Sequence, residues 1–230
     1  MKKKSIILFF IFIFSFIITG NLSSQNLEKV LINKHYPVYF LGLDFSESKF
    51  IGNSGVSGYT IRDKFFSEWN YLFYSEKKKY NIGEYIKIGN SWGFVGRKDE
   101  NWARMAGNSI KYRTDIVEEI HKSVDPKKIV LYSNYNLEDL DNDKLQEVVN
   151  RYDFEPTSPV ALTFIVNYFN WLTGESKIAA VFFNSNTKEI LFSTSITGKG
   201  SGKNFRNFWM NSIEDILGKL KKIIDKEIVK

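Results

Sequence analysis

Residues 160–199, VALTFIVNYFNWLTGESKIAAVFFNSNTKEILFSTSITGK, decide the fold. Three runs, 160–169, 178–184 and 189–197, are rich in β-branched and aromatic residues, and only Thr173-Gly174-Glu175 and Ser185-Asn186-Thr187-Lys188 mark the turns between them. Connections that short return the chain beside itself, so the spacing predicts an antiparallel meander. After a loop at 198–203, Phe205, Phe208, Trp209, Ile213, Ile216, Leu217, Leu220 and Ile224 form one apolar stripe at helical spacing. A helix with such a stripe needs a sheet to lie on, and the meander supplies it. The expected fold class is therefore α+β: two layers, a mostly antiparallel sheet with amphipathic helices packed on one face.

Upstream, residues 37–45 (PVYFLGLDF) read as a short buried strand. Thr60 and Asp63 stand three apart before an apolar-periodic segment, the spacing of a capping box with Asp in the Glu place. Ile61, Phe65, Trp69, Leu72 and Phe73 then share one helical face, with Arg62, Asp63, Lys64, Glu68 and Asn70 opposite. Residues 82–133 carry the weakest periodicity. Within them, Tyr112, Thr114, Ile116, Glu118 and Ile120 alternate loosely and suggest a strand. Residues 140–152 predict a helix capped by Asp141 and buried through Leu145, Val148, Val149 and Tyr152.

At the amino end Lys2, Lys3 and Lys4 lead into the uncharged stretch 5–19 (SIILFFIFIFSFIIT) and the polar 20–25 (GNLSSQ). A charged region, an apolar run of about 7–15 residues and small residues after it are the parts of a secretory signal peptide. A spanning helix needs about 20 apolar residues, more than this run provides. The expectation is a signal at 1–24, cut after Ser24 or alternatively after Gly20, followed by a single α+β domain at 25–230. Losing three lysines and no acids lowers the net charge from +6 to +3. The remaining charges intersperse both signs, as in EKKKYNIGE at 76–84, and form no clustered basic footprint of a nucleic-acid binder. No cysteine is present, which excludes disulfides, thiolate chemistry and lipid attachment through a lipobox cysteine. Hydrophobic content of 43% belongs to a chain with a sizeable core. The setting expected is the periplasm or cell surface of a Gram-negative bacterium.

The string GKGSGK at 198–203 stands between a strand and a helix, as a phosphate-binding loop does. Aligning its Gly202-Lys203 with that motif puts Thr197 in the place of the first glycine and Asn204 in the place of the magnesium-binding hydroxyl, so the motif fails. What survives is a candidate anion site: Lys199, Lys203 and Arg206 gather at the start of a helix whose free N–H groups already favour negative charge. Against it stands internal pairing of Arg206 with a carboxylate such as Asp44, with both lysines solvated. Asp139, Asp141 and Asp143 imitate the start of a calcium loop, but Lys144 and Asn150 occupy the required glycine and glutamate places. The two histidines, His35 and His121, are isolated, so neither metal nor cofactor is expected. Trp69 and Trp209 fall on buried stripes. Trp92 and Trp102, in the polar stretch 89–108, are the better candidates for an exposed binding platform.

Val181-Phe182-Phe183, Thr187-Lys188, the glycine-rich 198–202 and Arg206-Asn207-Phe208-Trp209 together give the chain a resemblance, over residues 160–213, to a family of uncharacterised exported proteins from Bacteroidota; Asn184 stands where that pattern has Asp. In its order of strand, turn, strand, glycine-rich segment and helix it is also similar to the α/β domains of envelope lipoproteins, the curli secretion lipoprotein and the amino-terminal domain of TolB. The resemblance implies an envelope setting and no activity. The function expected is a non-catalytic binding or assembly factor whose partner is an envelope protein, lipid or glycan. The alternatives are a secreted hydrolase using Asp and Glu residues, and a periplasmic protein held to the membrane by an uncleaved signal.

Overall fold

The computed structural model describes residues 37–86, 110–132 and 139–227. The signal segment expected at 1–24 lies outside them. In chain order the elements are β1 (Val38–Asp44), β2 (Lys49–Ile51), a helix α1 over residues 58–75, α2 (Ile82–Tyr85), β3 (Ile110–Tyr112), α3 (Asp115–His121), a 3-10 turn (Pro126–Lys128), β4 (Val130–Leu131), α4 (Asn142–Asn150), β5 (Val160–Asn170), β6 (Glu175–Asn184), β7 (Ile190–Lys199) and α5 (Phe205–Glu227). α1 is built of Gly58–Thr60, a π-helical segment Ile61–Phe65 and Phe66–Ser75. Among the described residues no helix is long and apolar enough to cross a membrane.

The meander forms as its turns predict: β5 pairs antiparallel with β6, and β6 with β7. It is only half of the sheet. The other edge of β5 is taken by β1 along Val160 to Ile165 and by β2 along Tyr168 to Asn170, both parallel to it. β3 and β4 add parallel strands outside β1 and β2. Among the described residues four of the six strand pairings are therefore parallel. Helices cover both faces. On one, Phe40, Phe164 and Phe182 pack with Trp69 and Phe73 of α1 and with Trp209, Ile213 and Ile216 of α5. On the other, Leu41, Ile165 and Val181 pack with Ile116 and Val117 of α3 and Leu145, Val148 and Val149 of α4. The expected two-layer α+β body with a mostly antiparallel sheet is thus corrected to an α/β arrangement with a mostly parallel sheet between helices. Hairpin turns report only pairings between sequence neighbours, and the parallel partner of β5 lies far upstream. The apolar runs of β5 and β6 are continuous because these strands are buried on both faces.

β1 and β2 are one strand interrupted, since both run along the same edge of β5. The interruption begins at a register shift between Phe40 and Gly42. Gly42 has φ of +97°, and a Cβ there would stand 2.4 Å from the side-chain oxygen of Asn70. Asn70, fully buried on α1, accepts from Leu43 N–H at 2.7 Å and donates to Leu43 C=O at 3.1 Å, taking the part of a neighbouring strand. The π-helical segment places it there. One residue more per turn rotates the following face, so Phe66 and Asn70 turn inward while Phe65 is only half-buried. The cap of α1 is Ser57, whose hydroxyl accepts from Thr60 N–H at 3.1 Å, rather than Thr60 with Asp63. Residues 112–120 also differ from the expected strand. β3 ends at Tyr112, and Ile116, Val117 and His121 form the buried face of α3.

Asn70→Ala leaves the N–H and C=O of Leu43 buried without partners, each costing about 1–3 kcal/mol. Urea unfolding followed by circular dichroism will show a loss of roughly 2–4 kcal/mol.

Candidate functional site

β2, β4 and β5 run parallel and finish at one end of the sheet. There Trp171 N–H donates to Ile51 C=O and Gly52 N–H to Leu131 C=O, each at 2.8 Å, so Trp171 and Tyr132 stand on the strand ends either side of β2. The turn after β5 carries Trp171 and Leu172, exposed at 37% and 57%, and Tyr132 is 76% exposed. Trp171 is not a loose side chain. Its ring centroid lies 5.0 Å from Phe208 and 5.9 Å from both Phe205 and Trp209 of α5, and Phe205 continues the cluster to Phe65 of α1 at 5.0 Å. The indole N–H of Trp69 donates to the carbonyl of Arg206 at 3.0 Å, tying the first turn of α5 to α1.

The glycine-rich loop belongs to the same end, and its glycines answer to packing. A Cβ on Gly200 would stand 2.1 Å from the Phe208 ring, and one on Gly198 would stand 2.3 Å from the carbonyl of Ser212. Gly200 N–H donates to Gly174 C=O at 2.7 Å, and Ser201 N–H to Phe208 C=O at 3.3 Å. The loop is a tight cover over Phe208, bonded to the turn between β5 and β6.

Of the predicted anion-site residues, Lys199 closes β7, with its ammonium 3.9 Å from Glu175 and its N–H donating to Asp215 at 3.0 Å. Lys203 is exposed on the loop. Arg206 is half-buried, and its Nε donates to Asn207 at 3.1 Å. Neither Lys203 nor Arg206 has a carboxylate partner among the described residues. The pairing of Arg206 with Asp44 does not occur, because Asp44 is engaged on other elements. Trp92 and Trp102 lie outside the described residues. Trp69 and Trp209 are core, as their stripes require. Trp171 and Leu172 escaped the sequence reading although a signal was present: two large apolar residues occupy a turn, where polar residues and glycine belong.

A buried cluster of titratable groups lies at the interruption between β1 and β2. Asp44, fully buried, accepts from Ser46 N–H at 2.7 Å and from the Tyr152 hydroxyl at 2.8 Å, and Nε2 of His121 stands 3.7 Å away. Burial alone would raise its pKa; His121 beside it and the bonds from Ser46 and Tyr152 outweigh burial and hold the carboxyl below the ordinary aspartate value. Burial, with the charge of Asp44 beside it, pushes Tyr152 well up, so its hydroxyl stays protonated and donates. His121 Nε2 also accepts from Phe45 N–H at 3.0 Å. All these bonds close the strand interruption. Two grooves adjoin it. One of about 440 Å³ between α1 and α3 is lined by Arg62, Asp63, Glu118, His121 and Lys122. The other, of about 320 Å³, is lined by Ser46, Lys49, Asp125, Lys128 and Arg151. Among the described residues no group of three or more His, Cys, Asp or Glu converges as metal ligands would. Asp141 caps α4, accepting from Lys144 N–H at 2.8 Å, and Asp139 bonds to Lys177.

No family model matches the chain, and no curated protein matches it. Among solved structures, protein XCC0632 from Xanthomonas campestris, of family model DUF330, aligns over 86% of this chain and 89% of that one, with 10% identity and a TM-score of 0.26. A likeness that slight carries no inference about fold or function.

Gly200→Ala drives a methyl group into the Phe208 ring; thermal melting will show a loss of about 1–3 kcal/mol, the usual cost of overpacking. Asp44 is more acidic folded than unfolded, so its contribution is present above the ordinary aspartate pKa of about 3.9 and lost as pH falls through the lower folded value. Asp44→Asn will therefore lower stability at pH 7 and flatten the dependence of unfolding on pH between about 5 and 2.

Proposed function

We propose that this chain is an exported, non-catalytic binding or assembly factor of a Gram-negative envelope, acting from the periplasm or cell surface after removal of residues 1–24. The observation that carries the reading is the end of the sheet where Trp171 is held exposed over Phe205 and Phe208 with Leu172 exposed next to it, beside cations that lack carboxylate partners among the described residues. Exposing large apolar side chains costs solvation unless a partner covers them. Here Trp171 is fixed by ring contacts, Leu172 packs on Gly52, and the loop is bonded to the neighbouring turn, so little ordering entropy is left to lose on binding. The apolar run at 5–19 supplies the export reading.

A photo-crosslinking residue at position 172, in the native envelope, will trap an envelope component, and one at Tyr71, exposed on α1, will not. Equal capture at both positions, or none at 172, overturns the reading.

A further inference from the structure

Resting on that reading, we infer that the partner of this end is an anionic membrane surface, entered by Trp171 and Leu172 and held by Lys203 and Arg206. The apolar side chains sit on an exposed turn, residues 171–173, and the loop alongside, 201–204, is exposed throughout. Neither groove described above is lined by these residues. The apolar surface thus stands on an exposed turn, outside both grooves. A protein partner would have to provide a pocket for it and still bury about 800 Å² on each side for a stable complex. A bilayer interface accepts an exposed Trp and Leu with no shaped pocket, and indole rings settle at the headgroup level.

The charges around the turn fit the same occupant. Glu175 is matched by Lys199 at 3.9 Å, and Asp215 by Lys219 at 2.8 Å. Among the described residues Lys203, Arg206 and Lys64 have no carboxylate partner, and the Lys64 ammonium stands 5.5 Å from the ring of Phe65 in the same aromatic cluster. Cations ringing an apolar tip complement anionic headgroups, which attract each basic residue near the surface. The turn is also stiffened for the purpose. Leu172 leans on Gly52, where a Cβ would stand 3.0 Å from it, and Leu172 N–H donates to the side chain of Asn170 at 3.0 Å.

The chain contains no cysteine, so Leu172→Cys gives the full chain a single thiol for an environment-sensitive fluorophore. A label there reports on the tip even if the apolar run at 5–19 is itself membrane-bound. Vesicles containing phosphatidylglycerol will shift its emission to the blue, and vesicles of phosphatidylcholine alone will not. The same label at Tyr71→Cys will stay unshifted. Adding Lys203→Gln and Arg206→Gln will raise the lipid concentration at half-shift by roughly fivefold for each cation removed, and salt will weaken the wild-type response. Circular dichroism melting checks that each variant is folded. No shift at 172 with anionic vesicles, or an equal shift with both kinds, overturns the lipid assignment. If position 172 then still crosslinks one envelope protein or glycan, the binding reading stands with a different partner; if it crosslinks nothing, both fall.

Discussion

The sheet depends on a strand that is interrupted without being lost. β1 and β2 lie along one edge of β5, and the chain between them leaves the ladder and returns to it. Backbone groups that leave a ladder inside a protein must find other partners. Asn70 supplies two of them to Leu43 from one face, and Asp44 with Tyr152 and His121 gathers the rest of the interruption from the turn after α4 and from α3. The same few side chains thus fix the positions of α1, α3 and α4 about β5. Once the interruption is fixed, β2 ends beside β5, and the turn after β5 is carried to the end of the molecule where Trp171 stands exposed.

Much of this was legible in the sequence, and the parts that were not share a physical cause. The meander, the strand at 37–45, the helix capped by Asp141 and the apolar stripe of α5 rest on local periodicity and turn chemistry, which a sequence displays directly. The parallel partner of β5 leaves no such local mark. A trace was nonetheless present in VALTFIV and IAAVFF, which do not alternate as a sheet with one wet face would. The π-helical segment in α1 breaks the regular spacing from which faces are read, so that spacing puts Asn70 on the polar face although it is buried and carries a central bond. In α3, apolar residues spaced irregularly over a short element imitate a strand.

The glycine-rich loop shows how a motif can be right in placement and mistaken in chemistry. Its position between strand and helix is that of a phosphate cradle, but its backbone N–H groups turn inward, to Gly174 and Phe208. Its glycines let the chain cross an aromatic ring at close range. The aromatic end owes its rigidity to that crossing, since the loop, the β5–β6 turn and the first turn of α5 hold one another by hydrogen bonds and ring contacts. Lys203 and Arg206 are placed at the rim by the same packing.

The placement of β5 also sets the order in which the molecule can be completed. Its hairpins with β6 and β7 close over short turns, and α5 follows at once to cover one face. Among the described residues β1, seven residues buried throughout, pairs with β3 and with β5, and β5 begins about half the chain later. A chain delivered amino end first must therefore keep VYFLGLD apart from other chains until its last third is present. Long-range parallel pairing of this kind is slow and leaves strand edges open to aggregation in the interval. Holding β1 unpaired during delivery is thus a demand placed on the cell by the topology itself.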